Sequence, residues 1–214
     1  MAIAFDTSST STMTSESVET FSHTCTGSNL VLFVHCGGGG NDASVASVTY
    51  NTVSLTQGKR ETGSAGGFWA EVWYLIAPAT GAHNVVVTLN TADDVEVAAS
   101  SYTGVAQTST FGTWASVGNT AGTDHTLDVS SAVGETVVDF AFLSDETTDL
   151  TAGAGQTERY DYAGTQRVWS STEPGATTVT MSWSDGAFRY DQVAVSMRAA
   201  APDTTPMKGV GQAG

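Results

Sequence analysis

The sequence predicts an all-β chain built as an antiparallel two-sheet β-sandwich. Three observations carry that expectation. Short apolar segments alternate with period two, as in "SNLVLFVHC", where Leu30, Leu32 and Val34 share one face and Val31, Phe33 and His35 the other. Threonine, valine and aromatic residues fill these segments, while Gly, Asn, Asp, Ser and Pro punctuate them. No run of about eleven residues or more holds a 3.6-residue period, so helix is limited to a short turn at most.

In chain order, "ASVASVTYN" and "VSLTQ" flank "NT", a tight turn. "GFWAEVWYLIAP" reads as a long strand closed by Pro78 and the turn "ATGAH", and "NVVVTLN" follows with Val85, Val87 and Leu89 on one side. Then come "DVEVAASSYTGV", "HTLDVSS", "ETVVDFAFLSD", "QTERYDYAG", "TQRVWSS", "TTVTMSWS" and "FRYDQVAVSMRAA". About ten to twelve short strands at regular spacing point to a sandwich or a closed barrel. The near absence of long crossovers argues for antiparallel pairing. Residues 1–200 are expected to form this domain. Residues 201–214, with two prolines and then glycines, read as a C-terminal tail that forms contacts.

The 214 residues are enough for a sizeable core, and 40% are hydrophobic. The net charge of -15 comes with only seven cations: Lys59, Arg60, Arg159, Arg167, Arg189, Arg198 and Lys208. They are scattered apart from one adjacent pair, so the chain lacks the basic patch that a phosphate backbone needs, and no nucleic-acid partner is expected. The acidity serves solubility, or adaptation to a salty medium where screening weakens self-repulsion. No apolar run approaches the ~20 residues that span a bilayer, so no membrane association is expected. The start, "MAIAFDTSSTSTM", has neither a basic nor an apolar signal region, and no Sec signal peptide is expected. Cys25 and Cys36 lie in strands placed around the turn "TGSN". A tight hairpin there sets Cys25 near Leu30 and predicts two free, buried thiols.

"HCGGGGNDAS" is the oddest stretch. A phosphate-binding loop needs a lysine and a following helix; here "NDASVASVTY" offers neither, and Asp42 repels an anion. The glycines are therefore read as a flexible loop between strands, able to serve as a contact loop. His23, Cys25, His35 and Cys36 suggest zinc, but His35 and Cys36 point to opposite faces of one strand. Buried cysteines with surface histidines are expected instead. Neither GxSxG nor HExxH occurs, and His83 and His125 sit in turn-like contexts. Glu71 and Asp139 lie inside apolar strands and are the conceivable carboxylate pair for sugar cleavage. Asp93, Asp94 and Glu96, and likewise Asp145, Glu146 and Asp149, are acidic clusters of the kind that can hold calcium. Trp69, Trp73, Trp114, Trp169 and Trp183, with Tyr160 and Tyr162, are either core or a sugar-stacking platform. The sequence predicts no enzyme, no catalytic residue, no cofactor and no metal.

The order of segments "IAFDTSS", "HTCTGSNLVLFVHC", "VASVTYNTVSLT", "AEVWYLIAPATGAHNVVVTL", "AASSYTGVAQTSTFG", "VVDFAF", "LTAGAGQTERY" and "VTMSWS" resembles a widespread family of jelly-roll β-sandwich modules. These occur in tailed-phage virion proteins and bacterial surface proteins. The resemblance reaches to about Ala200 and is carried by framework pieces such as "SNLVLFV", "WYLIAPATG" and "TAGAGQT". It implies a fold and a context, not an active site. Family members on cell surfaces usually follow a signal peptide and adjoin other domains, whereas this chain reads as the module alone. The resemblance therefore implies a structural virion protein, above all a capsid decoration or cement protein on the head exterior. It would act as a symmetric homo-oligomer that touches the major capsid protein or other virion subunits. "GGGGND", residues 1–10 and residues 201–214 are the expected contacts. The alternative is a carbohydrate-binding or adhesion module of a tail fibre or cell surface, with a glycan as ligand.

Overall fold

The computed structural model describes residues 1–39, 43–63, 66–122, 125–144, 150–184 and 188–202. Fifteen strands and no helix occur among the described residues. They are β1 (Ala4–Cys25), β2 (Val31–Gly39), β3 (Val45–Tyr50), β4 (Val53–Ser54), β5 (Thr56–Glu61), β6 (Phe68–Ile76), β7 (Gly81–Thr103) and β8 (Ala115–Gly122). The remainder are β9 (His125–Ser130), β10 (Thr136–Leu143), β11 (Thr151–Ala152), β12 (Thr157–Ala163), β13 (Arg167–Pro174), β14 (Thr178–Ser184) and β15 (Phe188–Met197). Every pairing is antiparallel. The chain is thus an all-β antiparallel sandwich.

Its centre is two facing sheets. One runs β5-β6-β2-β7 with β1 at its edge; the other is the five-stranded sheet β12-β13-β10-β15-β8. Alternation along each strand makes both faces of the sheets apolar. Val31, Phe33, Val72, Ala98 and Tyr102 from the first meet Val138, Phe140, Phe142, Val168, Val193 and Val195 from the second. Two further layers cover the outer faces. The first sheet turns a corner within β1 and β7, so that the second half of β1, the first half of β7, β3 and β4 fold back over it. Leu32, Val34, Cys36, Val85, Val87, Val95, Val97 and Trp69 fill the space enclosed, giving the first sheet a nearly closed, barrel-like form. On the other side the three-stranded sheet β11-β14-β9 covers the five-stranded one, with Leu127, Val129, Val137, Val179, Met181 and Ala194 between them.

The corner has a local cause. Register slips between Met13, Glu16 and Val18 of β1, opposite residues 88–95 of β7, and Ser15 adopts a φ of 56°. The Asp94 carboxylate accepts the Ser15 amide at 2.7 Å and its hydroxyl at 3.3 Å, fixing the bend. "NVVVTLN" and "DVEVAASSYTGV" are therefore one strand bent at its middle, where their apolar patterns are interrupted.

Three expectations are corrected. β1 does not form a hairpin with β2: it pairs with β7, and Cys25 lies opposite Gly81 rather than near Leu30. The polar run "DTSSTSTMTSESVETFS" carries little apolar alternation, yet it extends because β7 offers it a free edge. Gly37, Gly38 and Gly39 are not loop; they are β2 residues paired with Ala70, Trp69 and Phe68. A Cβ on Gly37 would overlap the Phe142 ring, and one on Gly39 the Phe68 ring, so glycine admits two aromatic rings against the strand. Gly40, Asn41 and Asp42 lie outside the described residues. Finally, the two expected sheets carry two additional layers, because the long strands continue past the central sandwich and fold back on it.

Candidate functional site

The acidic and histidine side chains singled out in the sequence are placed in separate polar seams of the layered core. Glu71 points into the space enclosed by the folded first sheet, beside Cys36 and Trp69. Its carboxylate accepts Gln57 Nε2 at 2.6 Å, Trp73 Nε1 at 3.1 Å, Arg60 Nη1 at 3.3 Å and the Val45 amide at 3.4 Å. Arg60 also lies over the Trp69 ring, 5.1 Å from its centre. Burial pushes the Glu71 carboxyl up from its ordinary range, against the pull of Arg60.

Asp139 lies on the other side of the central sandwich, between the five- and three-stranded sheets. Two layers of aromatic and aliphatic side chains separate it from Glu71, so the two carboxylates do not form a pair. Asp139 is fully buried. Its Oδ1 accepts the Ser171 amide at 2.8 Å and the Ser171 hydroxyl at 2.9 Å, and its Oδ2 accepts Gln192 Nε2 at 2.7 Å. Burial raises its carboxyl to about 7 despite these donors. The seam continues outward: Gln156 Nε2 donates to Ser171 Oγ at 2.6 Å, and the Ser182 amide donates to Gln156 Oε1 at 2.7 Å. Gln156 thereby ties the five-stranded sheet to β14. Sequence patterning gave no reason to select Ser171 or Ser182. Gln156, however, is the glutamine of "TAGAGQT", the motif that leads from β11 into β12.

His23, His35 and His125 are buried rather than on the surface, and His83 is half-buried. His23 accepts or donates through Nδ1 to Ser9 Oγ at 3.0 Å and through Nε2 to Ser101 Oγ at 3.1 Å; Ser101 in turn donates to Asp6 Oδ2 at 2.8 Å. Burial lowers His23 to about 4, opposed by Asp6. His35 faces Phe140 and Tyr160 in the central core, and burial lowers it to about 3. His83 and His125 belong to strands, not turns, and His125 stacks on Trp183 at 3.9 Å. Both cysteines are free and buried, and Cys36 lies on the opposite strand face from His35. His23, Cys25, His35 and Cys36 therefore do not converge, and among the described residues no group of three or more candidate ligands gathers for a metal.

The acidic run on β7 is divided among separate tasks. Asp94 holds Ser15. Glu96 is buried and accepts four hydrogen bonds: Thr12 Oγ1 at 2.6 Å, the Thr165 amide at 2.7 Å, Thr165 Oγ1 at 3.0 Å and the Gln166 amide at 3.2 Å. It clamps the β12–β13 turn to β1. Asp145, Glu146 and Asp149 lie outside the described residues. Of the aromatics, Trp69, Trp169, Trp183 and Tyr160 are core. Trp73, Trp114 and Tyr162 are half-buried, with Trp114 stacked on Tyr74 at 6.1 Å.

One surface gathers features that the interior seams lack. The Met1 ammonium donates to the Ala200 carbonyl at 2.7 Å, so both ends of the described chain meet at one pole. A groove there is lined by Met1, Ile3, Val133, Pro174, Arg198 and Pro202 among others. Val133 is 92% exposed and Met1 52%. Arg198 donates to the Ser109 and Phe111 carbonyls and pairs with Glu135 at 3.4 Å, which fixes the groove wall. Residues 1–10 thus divide between this pole and the β1 edge, and Ala201 and Pro202 belong to the pole. Residues 203–214 lie outside the described residues. No family model matches the chain, nor does any curated protein or solved structure.

Proposed function

We propose that this protein is a structural virion protein of the capsid decoration or cement kind, which binds the assembled head of a tailed virus and stabilises it. The observation that supports this reading is the pole: an apolar groove bordered by strongly exposed Val133 and by both ends of the described chain, on a body whose buried Glu71, Glu96, Asp139 and His23 are engaged in internal hydrogen bonds. Such a body is stiff, and its ready contacts are at its ends and edges. Binding the closed shell, and not free capsid subunits, stabilises the shell by mass action, by about 2.7 kcal/mol per site at a hundredfold excess over Kd. Symmetric self-association would match the symmetry of a head.

Counting copies on purified particles tests the proposal. Many copies arranged with the symmetry of the head support it; a handful confined to the tail tip reject it. Val133→Asp is expected to release the protein from shells without lowering its Tm, since Val133 has almost no packing to lose.

A carbohydrate-binding or adhesion role is the second reading. It rests on the half-buried Tyr74–Trp114 pair, beside Gly58, where a Cβ would press on the indole. A glycan array with Trp114→Ala as control distinguishes the two: specific binding that the substitution abolishes favours the second reading.

A further inference from the structure

We propose that Ser171 and Gln156 are the two halves of an intramolecular ester cross-link, formed between the Ser171 hydroxyl and the Gln156 carboxamide with loss of ammonia. The four groups that such a reaction needs are already assembled. The nucleophile is Ser171 Oγ, fully buried and 2.6 Å from Gln156 Nε2. That hydrogen bond holds Oγ beside the carboxamide it would attack. The base is Asp139 Oδ1, which receives the Ser171 hydroxyl proton at 2.9 Å. The oxyanion donor is the Ser182 amide, 2.7 Å from Gln156 Oε1, with Ser182 Oγ also pointing at that oxygen from 3.4 Å.

Each part is held from outside the reacting pair. Gln192 Nε2 and the Ser171 amide fix the Asp139 carboxylate. The turn that carries Gln156 is closed by its amide on the Gly153 carbonyl at 3.1 Å, and the Gly153 amide bonds the Ser182 carbonyl at 2.8 Å. A side chain on Gly153 would collide with Ser182 Oγ, so glycine lets β14 approach the carboxamide. Burial raises Asp139 into the range where it can take and return a proton near neutrality.

The steps balance without an oxidant or co-reactant. Ser171 Oγ attacks Gln156 Cδ while its proton passes to Asp139. Negative charge gathers on Oε1 against the Ser182 donors. The Cδ–Nε2 bond then breaks, Asp139 returns the proton to the departing nitrogen, and ammonia leaves. One hydroxyl and one primary amide become one ester and one ammonia, and the carboxylate is regenerated. Gln156 is half-buried, which gives ammonia a way out, whereas Ser171 and Asp139 are closed to water that would hydrolyse the product. The bond would join the "TAGAGQT" turn covalently to β13, across the two strands β12 and β13.

The full chain, held at neutral pH and then denatured, is the material for the test. The expected intact mass is that of the sequence less one ammonia. Trypsin cuts after Arg159 and Arg167 and so separates Gln156 from Ser171. The expected digest contains one branched peptide that joins them, and hydroxylamine splits it into two. In Ser171→Ala and Gln156→Leu the intact mass is that of the variant sequence with no ammonia lost, and the branch is absent, while Asp139→Asn slows the loss of ammonia. A wild-type chain of unchanged mass that yields two separate tryptic peptides overturns the proposal, as does an ammonia loss that persists in Ser171→Ala.

Discussion

Thr52 holds a φ of 66° in the two-residue turn between β3 and β4, next to Asn51 at 47°. Both positive angles match the right-handed twist of a tight hairpin, and the sequence signal "NT" was sufficient to place it. A β-branched residue in that conformation is strained, so Thr52→Gly is expected to raise stability by about 1 kcal/mol, read as a higher denaturation midpoint. The buried titratable groups make a sharper test. His35 has a folded value of about 3 against 6.5 unfolded, so its contribution is complete above 6.5 and is lost as pH falls. Asp139 has a folded value of about 7 against 3.8, so its contribution is complete below 3.8 and is lost as pH rises toward 7. Each slope is about 1.4 kcal/mol per pH unit. Between pH 4 and 6.5, His35→Phe is expected to make the loss of stability on acidification shallower by about that slope. Asp139→Asn makes it steeper by the same amount. Urea denaturation across a pH series reads both. None of these burials was legible in the sequence, where a lone His or Asp in a strand looks the same on a solvent face as in a seam between two sheets.

At the scale of elements, β2 depends on its glycines and β7 on its acid. Gly37→Ala pushes a methyl group into the Phe142 ring, and overpacking of this kind costs about 1–3 kcal/mol. Shortening the ring in Phe142→Leu is expected to restore part of that loss, and a double-mutant cycle measures the coupling. Glu96→Ala leaves the Thr165 and Gln166 amides and the Thr12 hydroxyl without their acceptor, with an expected loss of about 3 kcal/mol. Opening should concentrate in the β12–β13 turn, seen by amide exchange. The strands β2, β6 and β10 were legible because both of their faces are largely buried, which selects apolar residues almost continuously along them. β1 was not, because an edge strand rich in hydroxyls has no such selection along most of its length. The glycines misled for a related reason: their function is to leave room for rings on other strands, and a local sequence pattern carries no information about distant rings.

For the molecule as a whole, the class and the antiparallel pairing followed from composition and period, while the layering did not. Four layers arise because β1 and β7 bend and take part in two of them, and the bend rests on Ser15, Asp94 and a register slip rather than on any glycine or proline signal. The polar seams follow from the same layering. Where two sheets meet around Asp139, the apolar filling is divided into a cluster about Met181 and another about Trp169 and Trp183. Strand-by-strand reading could place Asp139 and Ser171 in apolar strands but could not bring them opposite one another.

The pairing of β1 with β7 also sets the order in which the protein can take shape as it is made. Cys25 must wait for Gly81, and Ala4 for Thr103, before either has a neighbour to bond. The opening segment therefore leaves the ribosome long before its partner, and contacts of such wide separation form slowly. Twelve of its 22 residues are serine or threonine. A nascent stretch of that kind stays hydrated and has little tendency to clump with its neighbours during the delay.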